Sequence, residues 1–235
     1  MVGSLAGLKN RCMAFTSTSK LTLKRTTDVV IAGLVMLALG PLMLAIAFAV
    51  RLSSPGPVLF RQRRVGQGGR EFVLLKFRTM VGDQGRRDFA LPAGVAPGGV
   101  EGRDRRTRVG RWLRTTSLDE LPQLVNVLRG DMSVVGPRPE RPEYAKRFAL
   151  TVPGYVDRLR VKAGITGWAQ ANGLRGQTPI ADRVAYDNYY IDNWSLGLEL
   201  RTLVLTAVEL GRLRDRGAAI RPAEGALDAV ITLSR

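Results

Sequence analysis

The longest pattern in the chain is an apolar run without polar relief. From Val29 to Val50 the sequence VVIAGLVMLALGPLMLAIAFAV carries no charge in 22 residues, and as a helix it would reach roughly 33 Å, enough to cross a bilayer's hydrocarbon core. Gly40-Pro41 lies near its middle. Proline removes a backbone donor and crowds the preceding turn, which predicts a bend there and two halves each too short to cross alone. Both flanks are basic, with Lys20, Lys24 and Arg25 before and Arg51, Arg61, Arg63 and Arg64 after. Positive charge prefers the cytoplasmic side, so a simple span would send one flank the wrong way. The run therefore reads either as a proline-kinked spanning helix or as a helix-break-helix hairpin that enters and leaves one leaflet; the flanks and the break favour the hairpin. It is longer than the apolar core of a cleaved signal peptide, roughly 7 to 15 residues.

Beyond it the pattern shortens. Val58 to Val65 and Glu71 to Arg78 are β-rich and flank a glycine turn at Gly66 to Gly69, which predicts a hairpin. Its cations Arg61, Arg63, Arg64, Arg70, Lys76 and Arg78 face one acid, Glu71, so it can lie against lipid headgroups, hold a phosphate or simply be a solvated face. Gly82 to Gly102 is rich in glycine and proline, has no periodicity and reads as a loop. In Arg103 to Arg114, Val109, Trp112 and Leu113 recur at helical spacing beside six arginines. That helix either rests on an anionic membrane with Trp112 at the interface or buries Trp112 in the core. Residues 195 to 214 predict another helix with apolar residues spread around it, and a loose tail begins at Gly217. The resulting division is a basic segment 1–24, a membrane hairpin 25–52, a catalytic domain 53–216 and a tail 217–235.

Composition narrows the chemistry. With 235 residues, 45% of them hydrophobic, the chain can bury one substantial core. Lys and Arg number 36 against 20 Asp and Glu, a net +16 that asks for a polyanionic partner: nucleic acid, an anionic membrane or a phosphorylated substrate. The single cysteine, Cys12, excludes an intramolecular disulfide and a multi-cysteine zinc cluster. With no histidine, any acid, base or nucleophile must come from other side chains.

Against that basic background TTSLDELPQL, residues 115 to 124, places Asp119 beside Glu120. Ser117 to Glu120 fits an S-x-x-E capping box, and Pro122 suits a first helical turn. Adjacent residues on a helix point about 100° apart, so a cap and a chemical role are compatible. A helix N-terminus would stabilise Asp119 as the anion, able to ligate Mg²⁺ or attack phosphorus. Arg111 and Arg114 stand upstream to hold anionic oxygens. Downstream, Gly136-Pro137 makes a tight turn and prolines flank Arg138, stiffening the backbone that aims its guanidinium. GITGWAQANGLRGQT, residues 164 to 178, offers glycine-rich backbone, Gln170, Asn172, Arg175 and Trp168 for a base or sugar. Tyr186, Tyr189 and Tyr190 read as core and interface residues.

Together the broken apolar segment, SPGPVLFRQRRVG, FVLLKFRTM, LRTTSLDELPQLVNVLRGDMSVVGPRPE, GITGWAQANGLRG and YDNYYIDNWS resemble the bacterial sugar transferases, the monotopic phosphoglycosyl transferases, over roughly residues 20 to 212. The resemblance implies a helix-rich α/β (α+β) fold: a monotopic membrane protein with a re-entrant helix-break-helix hairpin and a cytosolic catalytic domain carrying interfacial amphipathic helices. It implies transfer of a sugar 1-phosphate from a UDP-sugar to undecaprenyl phosphate at the bacterial inner membrane, with release of UMP and the start of an exopolysaccharide or related glycan. Asp119 would be the nucleophile that forms an aspartyl-phosphosugar intermediate, Glu120 its partner, and Mg²⁺ would sit at the dyad through Asp119. Arg114 and Arg138 match phosphate-binding arginines of the family; Lys76, Arg78, Gln170, Asn172 and Arg175 complete the expected substrate site.

Lys162-Ala163 replaces an Arg-Pro common in the family, and Asn172 to Gly176 resembles members that use UDP-glucose or UDP-galactose. Many such relatives carry several spanning helices first, so the chain is expected to be a short form or a catalytic piece. An anionic membrane is an expected partner, nucleic acid is not, and homo-oligomerisation stays open. The competing readings are a membrane-tethered nucleic-acid-binding protein and an inactive scaffold for glycan assembly.

Overall fold

A computed structural model describes residues 18–81, 94–96 and 104–215, the last four without their side chains. Cys12, the tail from Gly217 and all but residues 94–96 of the expected Gly82–Gly102 loop lie outside the described residues.

The apolar run belongs to one long helix, α1, Thr18–Ser53. It takes in Lys20 and Lys24 and passes through Gly40 and Pro41 without a break in its helical assignment. The expected break at Gly40-Pro41 therefore does not end the helix: proline removes one intrahelical bond and favours a bend, while the residue range stays continuous. Leu34, Leu37, Leu44, Phe48 and Leu52 are all exposed along it.

The predicted hairpin follows as β1, Leu59–Val65, paired antiparallel with β2, Glu71–Phe77, with Leu59 opposite Phe77 and Val65 opposite Glu71. Helix α2 spans Arg108–Thr116, capped by Thr107, whose hydroxyl accepts from the Gly110 amide at 2.8 Å. A short 3₁₀ turn, Leu118–Glu120, leads into α3, Gln123–Arg129, which ends on Gly130 in the left-handed conformation that glycine adopts without penalty. Strand β3, Met132–Val135, pairs parallel with β4, Ala163–Thr166. Between them lie α4, Pro142–Thr151, and the 3₁₀ segment Tyr155–Arg160. The chain closes with α5, Trp168–Ala171, α6, Ile180–Asp192, and α7, Leu196–Asp215.

The described sheets have only two strands each, so helices supply most of the core. Val127, Met132, Val135, Trp168, Tyr190 and Ile191 form its centre, against which Ile31, Val35 and Met36 of α1 pack. The other half of α1 is held by a second cluster, Ile46 and Val50 with Phe77 and Leu113. Two glycines close the frame beneath the site. A Cβ on Gly136 would collide with the Lys162 carbonyl and one on Gly164 with the Gly136 backbone, so the turn after β3 presses against β4 only because both lack side chains.

Candidate active site

Two devices fix the Asp119-Glu120 dyad. Buried Asn126 of α3 binds the outer edge of β2 as another strand would, accepting from the Leu75 amide at 3.0 Å and donating to the Val73 carbonyl at 2.8 Å. That register sets the start of α3 beside Lys76. Ser117 supplies the second device: with φ 58° it is the one non-glycine residue in the left-handed region among those described. Such a conformation costs an L-residue roughly 1–2 kcal/mol, and here it turns the chain sharply from α2 into the dyad.

This geometry replaces the expected capping box. Ser117 makes no side-chain cap bond, and Asp119 and Glu120 lie in the 3₁₀ turn before α3, not in its first turn. Glu120 reaches instead for tertiary partners: its Oε1 accepts from Lys76 Nζ at 2.5 Å and from Arg138 Nη2 at 3.3 Å. Burial opposes the Glu120 anion, but Lys76 and Arg138 together outweigh it and hold the carboxyl well below the usual range.

Asp119 differs. Its carboxylate is nearly buried and has no hydrogen bond or ion pair to any described residue. Burial raises its pKa, with the Glu120 charge adding, against the pull of Lys76, Arg114 and Arg138. The helix terminus expected to stabilise its anion is therefore not the governing influence; desolvation is. The pair thus divides into a neutralised anion, Glu120, and a less stabilised, uncommitted one, Asp119, within a ring of cations.

Of the residues expected at the site, Lys76, Arg114 and Arg138 surround the dyad. Arg114 interacts with the Asp119 charge and also lies against Met80 Sδ at 3.9 Å. Arg175 comes within charge reach of Arg138 and Glu120 and anchors its own loop by donating to the Gln170 carbonyl at 3.1 Å. Gln170 is buried behind that loop with its Oε1 unbonded, and Asn172 donates to the Trp168 carbonyl at 2.7 Å. Trp168 itself is in the core, stacked on Tyr189 with Arg201 over its ring, and does not offer a face to a base. Arg111 is exposed.

Arg78 is a correction. Its guanidinium is not presented to the site but buried against α1, donating to the carbonyls of Pro55 at 2.6 Å, Ser54 at 2.7 Å and Val50 at 3.3 Å. It fastens the C-terminal end of the apolar helix. Trp112, which the sequence allowed to be either core or interface, is half exposed.

Sequence reasoning did not find the layer behind Arg138. Arg158 donates to the Arg138 carbonyl at 2.9 Å and Arg64 to the Pro139 carbonyl at 3.1 Å, so a buried guanidinium and a partly buried one grip successive peptides of the turn. Arg158 is balanced by Asp187 at 2.7 Å. Glu140 sits between Arg64 at 4.0 Å and Arg183 at 3.9 Å, and Arg183 donates to Thr178 and Gly176 of the Arg175 loop. Burial lowers the Arg64 and Arg183 pKa values to about 10, still high enough to keep both charged at neutral pH. One ion network therefore joins the loops that carry Arg138 and Arg175.

A buried Asp119 beside a partly buried Glu120, ringed by Lys76, Arg114 and Arg138 on a body packed against a long apolar helix, makes a site suited to anionic groups. The chain belongs to the bacterial sugar transferase family, whose profile matches residues 19–212. Over 191 residues it is 48% identical to UDP-glucose:undecaprenyl-phosphate glucose-1-phosphate transferase of Xanthomonas campestris, covering 80% of this chain and 38% of that protein. It is 46% identical to a protein of the same name from Caulobacter vibrioides, covering 80% of this chain and 69% of the relative. An exopolysaccharide production protein of Rhizobium leguminosarum is 41% identical over 80% of this chain and 94% of its own length. The chain thus spans less than two fifths of the Xanthomonas protein.

Proposed function

We propose that this chain is a phosphoglycosyl transferase that moves a sugar 1-phosphate from a UDP-sugar, UDP-glucose or UDP-galactose, to undecaprenyl phosphate. The observation that carries the reading is Asp119, a buried carboxylate with no hydrogen-bond or ion-pair partner among the described residues, beside a Glu120 already neutralised by Lys76 and Arg138. The names of the relatives supply the substrate classes.

In the first step an Asp119 oxygen attacks the phosphorus that bears the sugar. An Asp119 O–P bond forms, the bond from phosphorus to the bridging diphosphate oxygen breaks, and UMP leaves with that oxygen and its electron pair. In the second step an oxygen of undecaprenyl phosphate attacks the same phosphorus and Asp119 leaves, giving a diphosphate-linked sugar and the free carboxylate. Arg114, Arg138 and Arg175 offset the charge on the phosphoryl oxygens. Lys76 and Arg138 keep Glu120 ionised without letting its charge repel the substrate at full strength.

Mg²⁺ fits the donor set: the Asp119 oxygens are uncommitted among the described residues, and Mg²⁺ is commonly held by one or two carboxylates plus substrate phosphates. Bound there through Asp119, it would neutralise diphosphate charge. The detergent-solubilised chain with Mg²⁺ is expected to release UMP from UDP-glucose or UDP-galactose and to stop on chelation. A full panel of UDP-sugars yielding no UMP with undecaprenyl phosphate present would overturn the reading and favour an inactive scaffold.

The membrane placement is proposed with it: α1 as a re-entrant element, the body on the cytoplasmic face of the inner membrane. Both halves of α1 pack on one body, through Ala32 and its neighbours and through Ile46 and Val50, whereas a straight span of about 54 Å would carry one end to the far side. Exposed Trp112 with Arg108 and Arg111 on α2, and the exposed stripe Leu196, Leu200, Val204, Val208 on α7, suit helices lying at the interface. Cysteines placed at Lys20 and Arg63 should both react only with a reagent supplied from the cytoplasm; opposite-side labelling establishes a span.

A further inference from the structure

Away from the dyad, a cavity of about 390 Å³ opens where the start of α1 meets the body, and none of its lining residues belongs to the dyad site. Its walls include Leu21, Val135, Val161 and the Tyr190 side, and its cations include Arg25 and Lys162. Arg25 caps α3, donating to the Val127 carbonyl at 2.6 Å and the Leu128 carbonyl at 2.9 Å. Lys162 makes no hydrogen bond or ion pair with any described residue. Both cations approach Gly130: a Cβ there would lie 3.5 Å from Lys162 Nζ and 3.7 Å from Arg25 Nη2. Asp28 and Asp131 are within charge reach of Lys162 yet bond to other groups: Asp28 to Lys24, Ser133 and Val134, and Asp131 to Asn126. Two neighbouring positive charges thus share one mouth, and Lys162 has no bound counter-anion among the described residues.

We propose that this cavity is a second, non-catalytic site that binds the phosphate group of an anionic membrane lipid between Lys162 and Arg25, with the lipid's chains against Leu21, Val135 and Val161. The chemistry selects the ligand. A phosphate matches two adjacent cations, while the apolar walls reward a hydrocarbon attached to it and give a free ion nothing. The position agrees: residues 21–25 are the turns of α1 just before its apolar run begins at Val29, the level at which a headgroup meets an embedded helix. Lipid held there would tie the entry of α1 to β3 and to the segment before β4.

The inference rests on the membrane placement of α1 proposed above and not on the transfer reaction, and a readout of lipid retention keeps the two apart. The full chain in mixed detergent micelles is titrated with phosphatidylglycerol, with phosphatidylcholine and with inorganic phosphate, and bound lipid is read by native mass spectrometry. Phosphatidylglycerol is expected to bind in preference to phosphatidylcholine. Lys162→Met should weaken it about fivefold, the effect of one cation beside an anionic lipid, and Lys162→Arg should restore it, with UMP release and melting temperature unchanged in both. Displacement of phosphatidylglycerol by millimolar phosphate, with the same dependence on Lys162, would make the site one for free phosphate and overturn the lipid assignment. Equal retention of the two lipids, or no change in Lys162→Met, would overturn the site altogether.

Discussion

Asp119→Asn should reduce UMP release by at least about 10⁴-fold, the scale on which removing a covalent nucleophile acts, while leaving the protein folded. The structure adds a condition that a merely structural role for Asp119 would not meet. Burial and the neighbouring Glu120 raise the Asp119 pKa. A carboxyl whose folded pKa lies above its unfolded value adds stability when protonated and loses that contribution as pH rises through the folded value, so at neutral pH ionised Asp119 costs stability. The neutral amide removes that cost, and the variant should melt no lower than the parent. The same shift places the acid limb of kcat/KM above about 3.9, the value for an unperturbed aspartate, because only the ionised form attacks phosphorus. Glu120 has the opposite sign: its depressed carboxyl contributes stability above the ordinary carboxylate range that is lost as pH falls through its folded value. Measuring UMP release, melting temperature and the pH profile together separates the roles; an active Asp119→Asn protein removes it as the nucleophile.

Much of this site was legible from short-range pattern. The β1–β2 hairpin followed from two β-rich stretches around glycines, α7 from its helical run, and the turn before Arg138 from Gly136-Pro137. What failed were inferences that let a local motif compete unopposed. Ser117 to Glu120 spells a cap, but the Glu120 carboxylate finds Lys76, distant in sequence and in place by virtue of the Asn126 link to β2. Lys76 and Arg78 alternate as residues of one strand face would, yet β2 ends at Phe77, so Arg78 leaves the strand and turns to the carbonyls at the end of α1. Trp168 belongs to a glycine-rich segment that suggested a place for a base or sugar, and the packing of α5 against α6 and α7 buries it. Arg64, Arg158 and Arg183 had no signal to separate them from the other arginines of a +16 chain. Burial of a guanidinium is decided by partners such as Asp187 and Glu140, and those pairings exist only in three dimensions.

Lys24→Met should lower stability by about 3–5 kcal/mol, the cost of leaving buried charges unpaired, and the melting temperature by roughly 6–20 °C for a chain of this size. In sequence Lys24 is one of several flanking cations that orient a membrane segment. In the structure it is buried between two carboxylates, Asp28 at 2.9 Å and Glu199, which ties the first turns of α1 to α7. The acids are themselves committed: Asp28 accepts from the Ser133 hydroxyl at 3.0 Å and the Val134 amide at 2.9 Å, Glu199 from Tyr190 at 2.9 Å and Trp194 at 2.7 Å. Methionine keeps the apolar stem of the lysine and removes only the charge, so the loss reports electrostatics and not a cavity. Two comparisons sharpen the test, both read by thermal unfolding in detergent. Lys20→Met, at an exposed position, should leave the melting temperature unchanged. Combining Lys24→Met with Asp28→Asn and Glu199→Gln should recover most of the loss, because neutral amides no longer require a counter-charge. If Lys24 acted only as a flanking charge, Lys24→Met would melt with the parent, and the link between α1 and α7 would have to come from apolar packing alone.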